Sequence, residues 1–141
     1  MNIVLDGTTL NINDICAVID GKPTISIAES AMEKMKLSRS IVERIISNKE
    51  IVYGINTGFG ALAEVEIDDE ELSQLQYNLI RSHACGTGEL MTVGLTRAMM
   101  LIRANSLAKG HSGVQPRLVE GLVDFLNLGI WPLLMGATMV L

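Results

Sequence analysis

The residues best suited to chemistry lie in one stretch, YGINTGFG, from Tyr53 to Gly60. Three of its eight residues are glycines, Gly54, Gly58 and Gly60. Glycine at that density suggests positive φ, tight turns or close approach to another group. A tyrosine at the mouth of such a loop stands on adaptable backbone, and its phenol can give or take a proton in a suitable environment. The pattern is not a P-loop, because no Lys-Ser or Lys-Thr follows the last glycine, and it is not GxGxxG. Two readings stay open from spacing alone: a glycine-rich surface turn with a packed Tyr and Phe, or a functional loop. His83, in SHACGTGE, is the second candidate, since an imidazole both donates and accepts hydrogen bonds. A lone histidine at a helix end can equally be structural. Asn56 and Thr57 offer polar groups that would hold the loop.

Helices must position these residues. Met32, Met35, Ile41, Val42, Ile45 and Ile46 recur at near-helical spacing, so a helix from Ser26 to about Lys49 delivers the chain to the loop. Ser26 and Glu29 predict a capping box at its start, and Ser38 and Ser40 a break into two helices. Asp68 and Glu71 predict the start of the next helix, with Asp69 and Glu70 favourable at its positive end. Leu72, Leu75, Leu79 and Ile80 supply its buried stripe, and Gly86 and Gly88 its end. Thr92 caps a further helix that runs to Lys109 and stops at Gly110. That helix is apolar on most sides, which places it centrally. Asn105 within it is expected to satisfy buried backbone, and Lys109 to be solvated. Pro116 suits the first turn of a last helix to Gly129. At the amino end, Asp6-Gly7 between Asn2–Leu5 and Thr8–Leu10 is a hairpin signal. Asn11 or Asn13 caps a short helix through Val18, and Thr24 to Ser26 reads as extended. The expected fold is mainly α, a helical bundle-like single domain over residues 1–141 with a small β hairpin at the start.

Composition excludes several function classes. Hydrophobic residues make up 48% of the 141, yet aromatics only 4%. The apolar content is therefore aliphatic, which favours packed helices over a β-sandwich. The net charge of −5 comes without a basic patch, so nucleic acid is not an expected partner. Cys16 and Cys85 are far apart and in no metal-ligand spacing; no metal is expected, and a reduced cytoplasmic chain is the simple reading. No apolar run reaches the roughly 20 residues that span a bilayer, and the first residues lack the pattern of a signal peptide. Residues 125–141, FLNLGIWPLLMGATMVL, carry no charge at all. Such a tail is expected to be covered by a partner.

The string YGINTGFG, followed in order by LQYNLIRSHACGTGE and IRANSLAKGHSGV, resembles the successive landmarks of the aromatic amino acid ammonia-lyases, the family of histidine, phenylalanine and tyrosine ammonia-lyases. The resemblance runs to about Gly129 and corresponds to the amino-terminal portion of such an enzyme. It implies that Tyr53 is the base that removes the β-proton of an α-amino acid as ammonia is lost. It implies that Gly54, Asn56, Thr57, Gly58 and Gly60 support the loop, and that His83 faces the substrate side chain. Histidine there fits a polar side chain, and Ala84 after it is more like the histidine enzymes. The implied reaction is L-histidine, or a related aromatic amino acid, to its unsaturated acid plus ammonia; for histidine that acid is urocanate.

The family builds its electrophile, a methylidene-imidazolone, from an internal Ala-Ser-Gly and needs no added cofactor. No Ala-Ser-Gly occurs in this sequence; Gly136-Ala137-Thr138-Met139 stands near the expected place. The chain by itself is therefore expected to be inactive. Family members are homo-oligomers, so the expected partner is another copy or the remaining carboxyl-terminal part. The rival reading is a non-catalytic helical interaction protein that binds itself or a full-length lyase.

Overall fold

The computed structural model describes residues 1–57 and 69–138, the side chains of 69–73 and 137–138 excepted. The order is β1 (Asn2–Leu5), α1 (Ile12–Asp20), β2 (Thr24–Ile27), α2 (Glu29–Ser47), α3 (Asp69–His83), β3 (Gly86–Leu90), α4 (Val93–Ala108), α5 (Pro116–Leu128) and β4 (Met135–Thr138). The fold is mainly helical, as expected, with a small strand pair at the amino end.

That pair is not a hairpin. β1 and β2 run parallel, with Ile3 opposite Ile25 and Leu5 opposite Ile27. Parallel strands need a crossover, and α1 provides it. The donors around Asp6-Gly7 are taken elsewhere. Asp6 Oδ1 accepts the N–H groups of Thr8 at 2.7 Å and Thr9 at 2.8 Å. Gly7, at φ 88°, donates its N–H to Asn105 Oδ1 on α4 at 3.0 Å. Thr8–Leu10 therefore leads away as an Asx turn and does not return as a strand.

Asn11 caps α1, accepting from Asn13 and Asp14 while the Asp14 carboxylate accepts from the Asn11 N–H. The expected Ser26–Glu29 box does not form. Ser26 pairs with Val4 in the sheet, and α2 begins after Ala28 with no side-chain cap. The Ala28 N–H donates to the Leu5 carbonyl instead. Nor do Ser38 and Ser40 break the helix: α2 is continuous over 19 residues. Ser40 Oγ donates back to the Leu37 carbonyl, and Ser38 Oγ accepts from the Gly113 N–H. Both hydroxyls are occupied without opening the backbone ladder.

The capping expected of Asp68 and Glu71 lies outside the described residues, as does Leu72. Among the described residues the expected stripe of α3 is only partly buried: Leu75 and Leu79 are half-buried and Ile80 is exposed. Gly86 and Gly88 do not end the helix directly. They belong to β3, which pairs antiparallel with β4 through an irregularity between Thr87 and Leu90. Gly88 has φ 94° there, the backbone a bulge commonly needs. The tail thus folds partly onto the chain itself, leaving Leu128 and Leu133 exposed.

α4 is the central helix. Thr92 Oγ1 accepts the Leu95 N–H to start it. It packs on α1, α2, α5 and β1, burying Ala98, Met100, Leu101, Ala104 and Leu107 beside Ile3, Leu5, Val18 and Ile25. α5 completes the core with Val119, Val123 and Leu126. Its cap residue Gly129 sits at φ 73°, and the Ile130 N–H donates to the Phe125 carbonyl, a Schellman ending.

After α4 the chain turns sharply through Gly110 and Gly113, at φ 76° and 65°. A Cβ on Gly110 would lie 2.6 Å from Lys34 Cβ and 2.8 Å from the Lys34 carbonyl carbon. Gly110→Ala is therefore expected to destabilise by about 2–4 kcal/mol, combining positive-φ strain with overpacking against backbone. Gly121, inside α5, has no described atom within 4 Å of its would-be Cβ. Gly121→Ala should stabilise by about 0.5–1 kcal/mol. Urea unfolding of both variants checks the opposite signs.

The Asp6 turn makes a pH prediction. The Thr8 N–H, then the Thr9 N–H, lower the Asp6 pKa from 3.8 to about 2. The depressed carboxylate contributes stability that is full above the unfolded value of about 3.9. It is lost as pH falls through about 2. Carbonyl-carbon NMR of Asp6 should show a midpoint near 2; a midpoint near 4 would mean that the turn is open in solution.

Candidate functional site

The Tyr53 loop begins where α2 stops. Asn48 caps that helix, and Lys49, at φ 54°, redirects the chain. Val52 to Ile55 then form a four-residue turn closed by the Ile55 N–H on the Val52 carbonyl at 3.1 Å. Gly54 occupies its third position at φ 79°, the backbone that a type II turn demands there. Among the described residues nothing lies within 4 Å of a Cβ built on Gly54. Glycine is needed for the dihedral angle, not for space.

Asn56 fixes the turn to the segment that enters it. Its Oδ1 accepts the Val52 N–H at 3.0 Å, and its Nδ2 donates to the Glu50 carbonyl at 2.8 Å. Asn56 is 6% exposed and Thr57 2%, whereas Tyr53 at the turn's tip is 63% exposed. The buried Asn56 thus anchors a turn whose tip residue, Tyr53, is exposed. Gly58 and Gly60 lie outside the described residues.

His83 belongs to a different element, the carboxyl end of α3. Its Nδ1 is 2.9 Å from the Leu79 carbonyl and 3.0 Å from Ser82 Oγ. A carbonyl has no proton to give, so the Leu79 contact places the hydrogen on Nδ1. The neutral ring then keeps its lone pair on Nε2. The ring is exposed. Just beyond it, Ala84 and Gly86 wall an apolar cleft of about 460 Å³ completed by Met91, Met99, Leu133, Leu134 and Met135. Among the described residues no three His, Cys, Asp or Glu side chains group as metal ligands.

The third motif has a structural role. Asn105 takes the Gly7 N–H, as expected of a polar residue in an apolar helix. Gly110 and Gly113 lie against Lys34 and Val42 of α2. Lys109 and His111 are exposed. Sequence reasoning passed over Arg97, which is 5% exposed within α4. The available signal was its place on the Gly94, Leu101, Ala104 face of a helix with a buried stripe.

A family model for aromatic amino acid lyases matches residues 10–138. The histidine ammonia-lyase of Staphylococcus saprophyticus is 47% identical over 134 residues, 95% of this chain and 27% of that protein. The chain thus spans about a quarter of the length of the curated relatives it matches, at their amino-terminal end. Among solved structures, histidine ammonia-lyase from Trypanosoma cruzi superposes with a TM-score of 0.88 at 34% identity, over 96% of this chain and 26% of that one. Tyrosine aminomutase from Streptomyces globisporus gives 0.86 at 36%, over 94% and 25%.

The Asn56 clamp is open to test. Asn56→Ala leaves the Val52 N–H and the Glu50 carbonyl without their partner and should cost about 1–3 kcal/mol. Asn56→Asp keeps the acceptor but sets a second acceptor against the Glu50 carbonyl, so it should not rescue stability. Thermal unfolding of the two variants reads both effects.

Proposed function

The chain belongs to the aromatic amino acid lyase family, and on that premise we propose that it forms the amino-terminal part of an ammonia-lyase acting on L-histidine. The observation that carries this reading is the presentation of Tyr53: an exposed tyrosine on a type II turn that Asn56 locks. A base must be held within hydrogen-bond reach of the proton it takes, and a clamped turn holds its residue better than a free loop. Tyr53 accepts the β-proton, the C–N electron pair leaves with the amino group, and the Cα–Cβ double bond of urocanate forms. His83 faces the imidazole of the substrate. With its hydrogen on Nδ1, its Nε2 can accept the substrate's N–H.

Histidine is favoured over other aromatic amino acids by the 47% identity to histidine ammonia-lyases. The solved neighbours include an aminomutase as well as lyases, so the fold of this region alone does not choose between those chemistries.

The family's methylidene-imidazolone does not fit the residues present. The chain contains no Ala-Ser-Gly. The nearest residues, Gly136 to Thr138, are strand β4, with Ala137 opposite Thr87 and Thr138 opposite Gly86. No step is assigned to that group within this chain, and the chain alone is inactive in this reading. Leu95, Met99 and Ile102 form an exposed apolar face of α4; it supports assembly with further lyase polypeptide or with other copies. The same face would serve a non-catalytic partner of a lyase. A cytoplasmic setting suits the exposed free thiols Cys16 and Cys85.

Three measurements test the proposal. The chain alone, incubated with L-histidine, should produce no urocanate absorbance. In a lyase polypeptide carrying this sequence, Tyr53→Phe should lower kcat about 10²–10⁴-fold with little change in KM. His83→Leu should raise KM for histidine and shift preference towards phenylalanine. Wild-type turnover by Tyr53→Phe would remove Tyr53 from the chemistry.

A further inference from the structure

We propose that Arg97 and Trp131 form a binding site for a carboxylate group. Arg97 is 5% exposed, and its Nε and Nη2 are sealed from solvent without a hydrogen-bond partner among the described residues. These two nitrogens form the side-on edge of the guanidinium. Their N–H bonds run parallel and match the two oxygens of one carboxylate. The Trp131 ring centroid lies 5.9 Å from Arg97 Cζ, within cation–π range. The indole attracts the charge but offers no hydrogen-bond acceptor, so Nε and Nη2 remain unmet. A buried charge calls for an opposite charge as well as acceptors. A single negative charge suits the surroundings better than a dianion. The cleft next to Trp131, about 350 Å³, has Met100, Phe125 and Ile130 among its walls and no charged residue.

Trp131 stands on the irregular link between α5 and β4. Trp131 lies close enough to the Arg97 guanidinium, 5.9 Å from ring centroid to Cζ, for its emission to respond when a carboxylate reaches Nε and Nη2. Trp131 is the only tryptophan in the chain, so its emission reports this site alone. The carboxylate can come from a small organic acid or from an Asp or Glu side chain of a second copy. The inference does not depend on the lyase reaction.

The test titrates sodium acetate into the full chain at constant ionic strength, with chloride as the balancing anion. A saturable change in Trp131 emission is expected with acetate and not with chloride. Arg97→Lys keeps the charge and loses the fork, so it should weaken the response at least tenfold. Arg97→Met should abolish it with the helical circular dichroism unchanged; if that variant does not fold, the Arg97→Lys comparison decides. Protein dilution separates the sources. Emission that changes on dilution, is competed by acetate and is lost in Arg97→Lys assigns the carboxylate to a second copy. Emission independent of dilution assigns it to a free acid. An equal response to chloride, a response unaltered in Arg97→Lys, or no response to either acetate or dilution overturns the site.

Discussion

Two asparagine side chains join the strand pair to the helices, and the rest of the packing depends on that join. A two-stranded sheet has backbone groups on both outer edges that must be satisfied if it is to be buried. Asn127 of α5 meets one edge at both ends of its amide. Its Oδ1 accepts the Ile25 N–H at 2.9 Å, and its Nδ2 donates to the Ile25 carbonyl at 2.8 Å. Asn105 of α4 takes the Gly7 N–H just after β1. A buried backbone group left unmet costs about 1–3 kcal/mol, comparable to what burying one large aliphatic side chain contributes. Without the amides, the gain from Ile3, Leu5 and Ile25 would be largely cancelled. The strands can enter the core because helices far away in sequence act as their neighbouring strands.

This join fixes the helix ends, and the helix ends place the Tyr53 loop. Asn105 sits one turn before the bend at Gly110, and Gly7 lies against Lys109, where a Cβ would meet Lys109 Cγ at 2.7 Å. The bend then runs along α2, through Gly110 on Lys34 and Gly113 on Val42. Ser38 Oγ and the Arg39 guanidinium hold Gly113 by its N–H and carbonyl, at 3.0 and 3.4 Å. With α2 held along this length, its carboxyl end releases the chain at a set position. The type II turn that presents Tyr53 follows directly. The motif IRANSLAKGHSGV is thus linked to YGINTGFG by packing: it is the brace of the helix that carries the loop.

Where the sequence was legible, a local rule had no competitor. Asn11, one of two asparagines offered as a cap, Thr92 before an apolar helix, Pro116 in a first turn and Gly129 after a last turn all act within a few residues. Their elements stand where the letters put them. Local rules failed where a distant partner claimed the same group. Asp6-Gly7 carries a hairpin signal, but Asn105, nearly a hundred positions on, takes the Gly7 N–H. Ser26 has capping-box spacing, but pairing with Val4 places it in a strand. Ser38 reads as a helix breaker until Gly113 occupies its hydroxyl. In the candidate site, the turn chemistry of Gly54 and the polar hold of Asn56 were readable from residue type. The exposure of Ile80, where an apolar stripe predicted burial, was not, because periodicity says which side seeks a partner and not whether the chain supplies one.

α4 shows the same limit in energetic terms. One face is complete: Leu101, Ala104 and Leu107 pack into the core formed with α1, α5 and the strands. The other presents Leu95, Met99 and Ile102 to solvent. Covering each large side chain fully would contribute about 1.5–3 kcal/mol, so three of them together rival the lower end of a domain's net stability, about 5–15 kcal/mol. The buried Arg97 edge adds an unmet demand on the same helix, since an unpaired donor on a charged group costs more than a neutral one. A helix interior to a larger assembly would have all its sides met. α4 therefore has the composition of a fully enclosed helix, and the described residues enclose only one side of it.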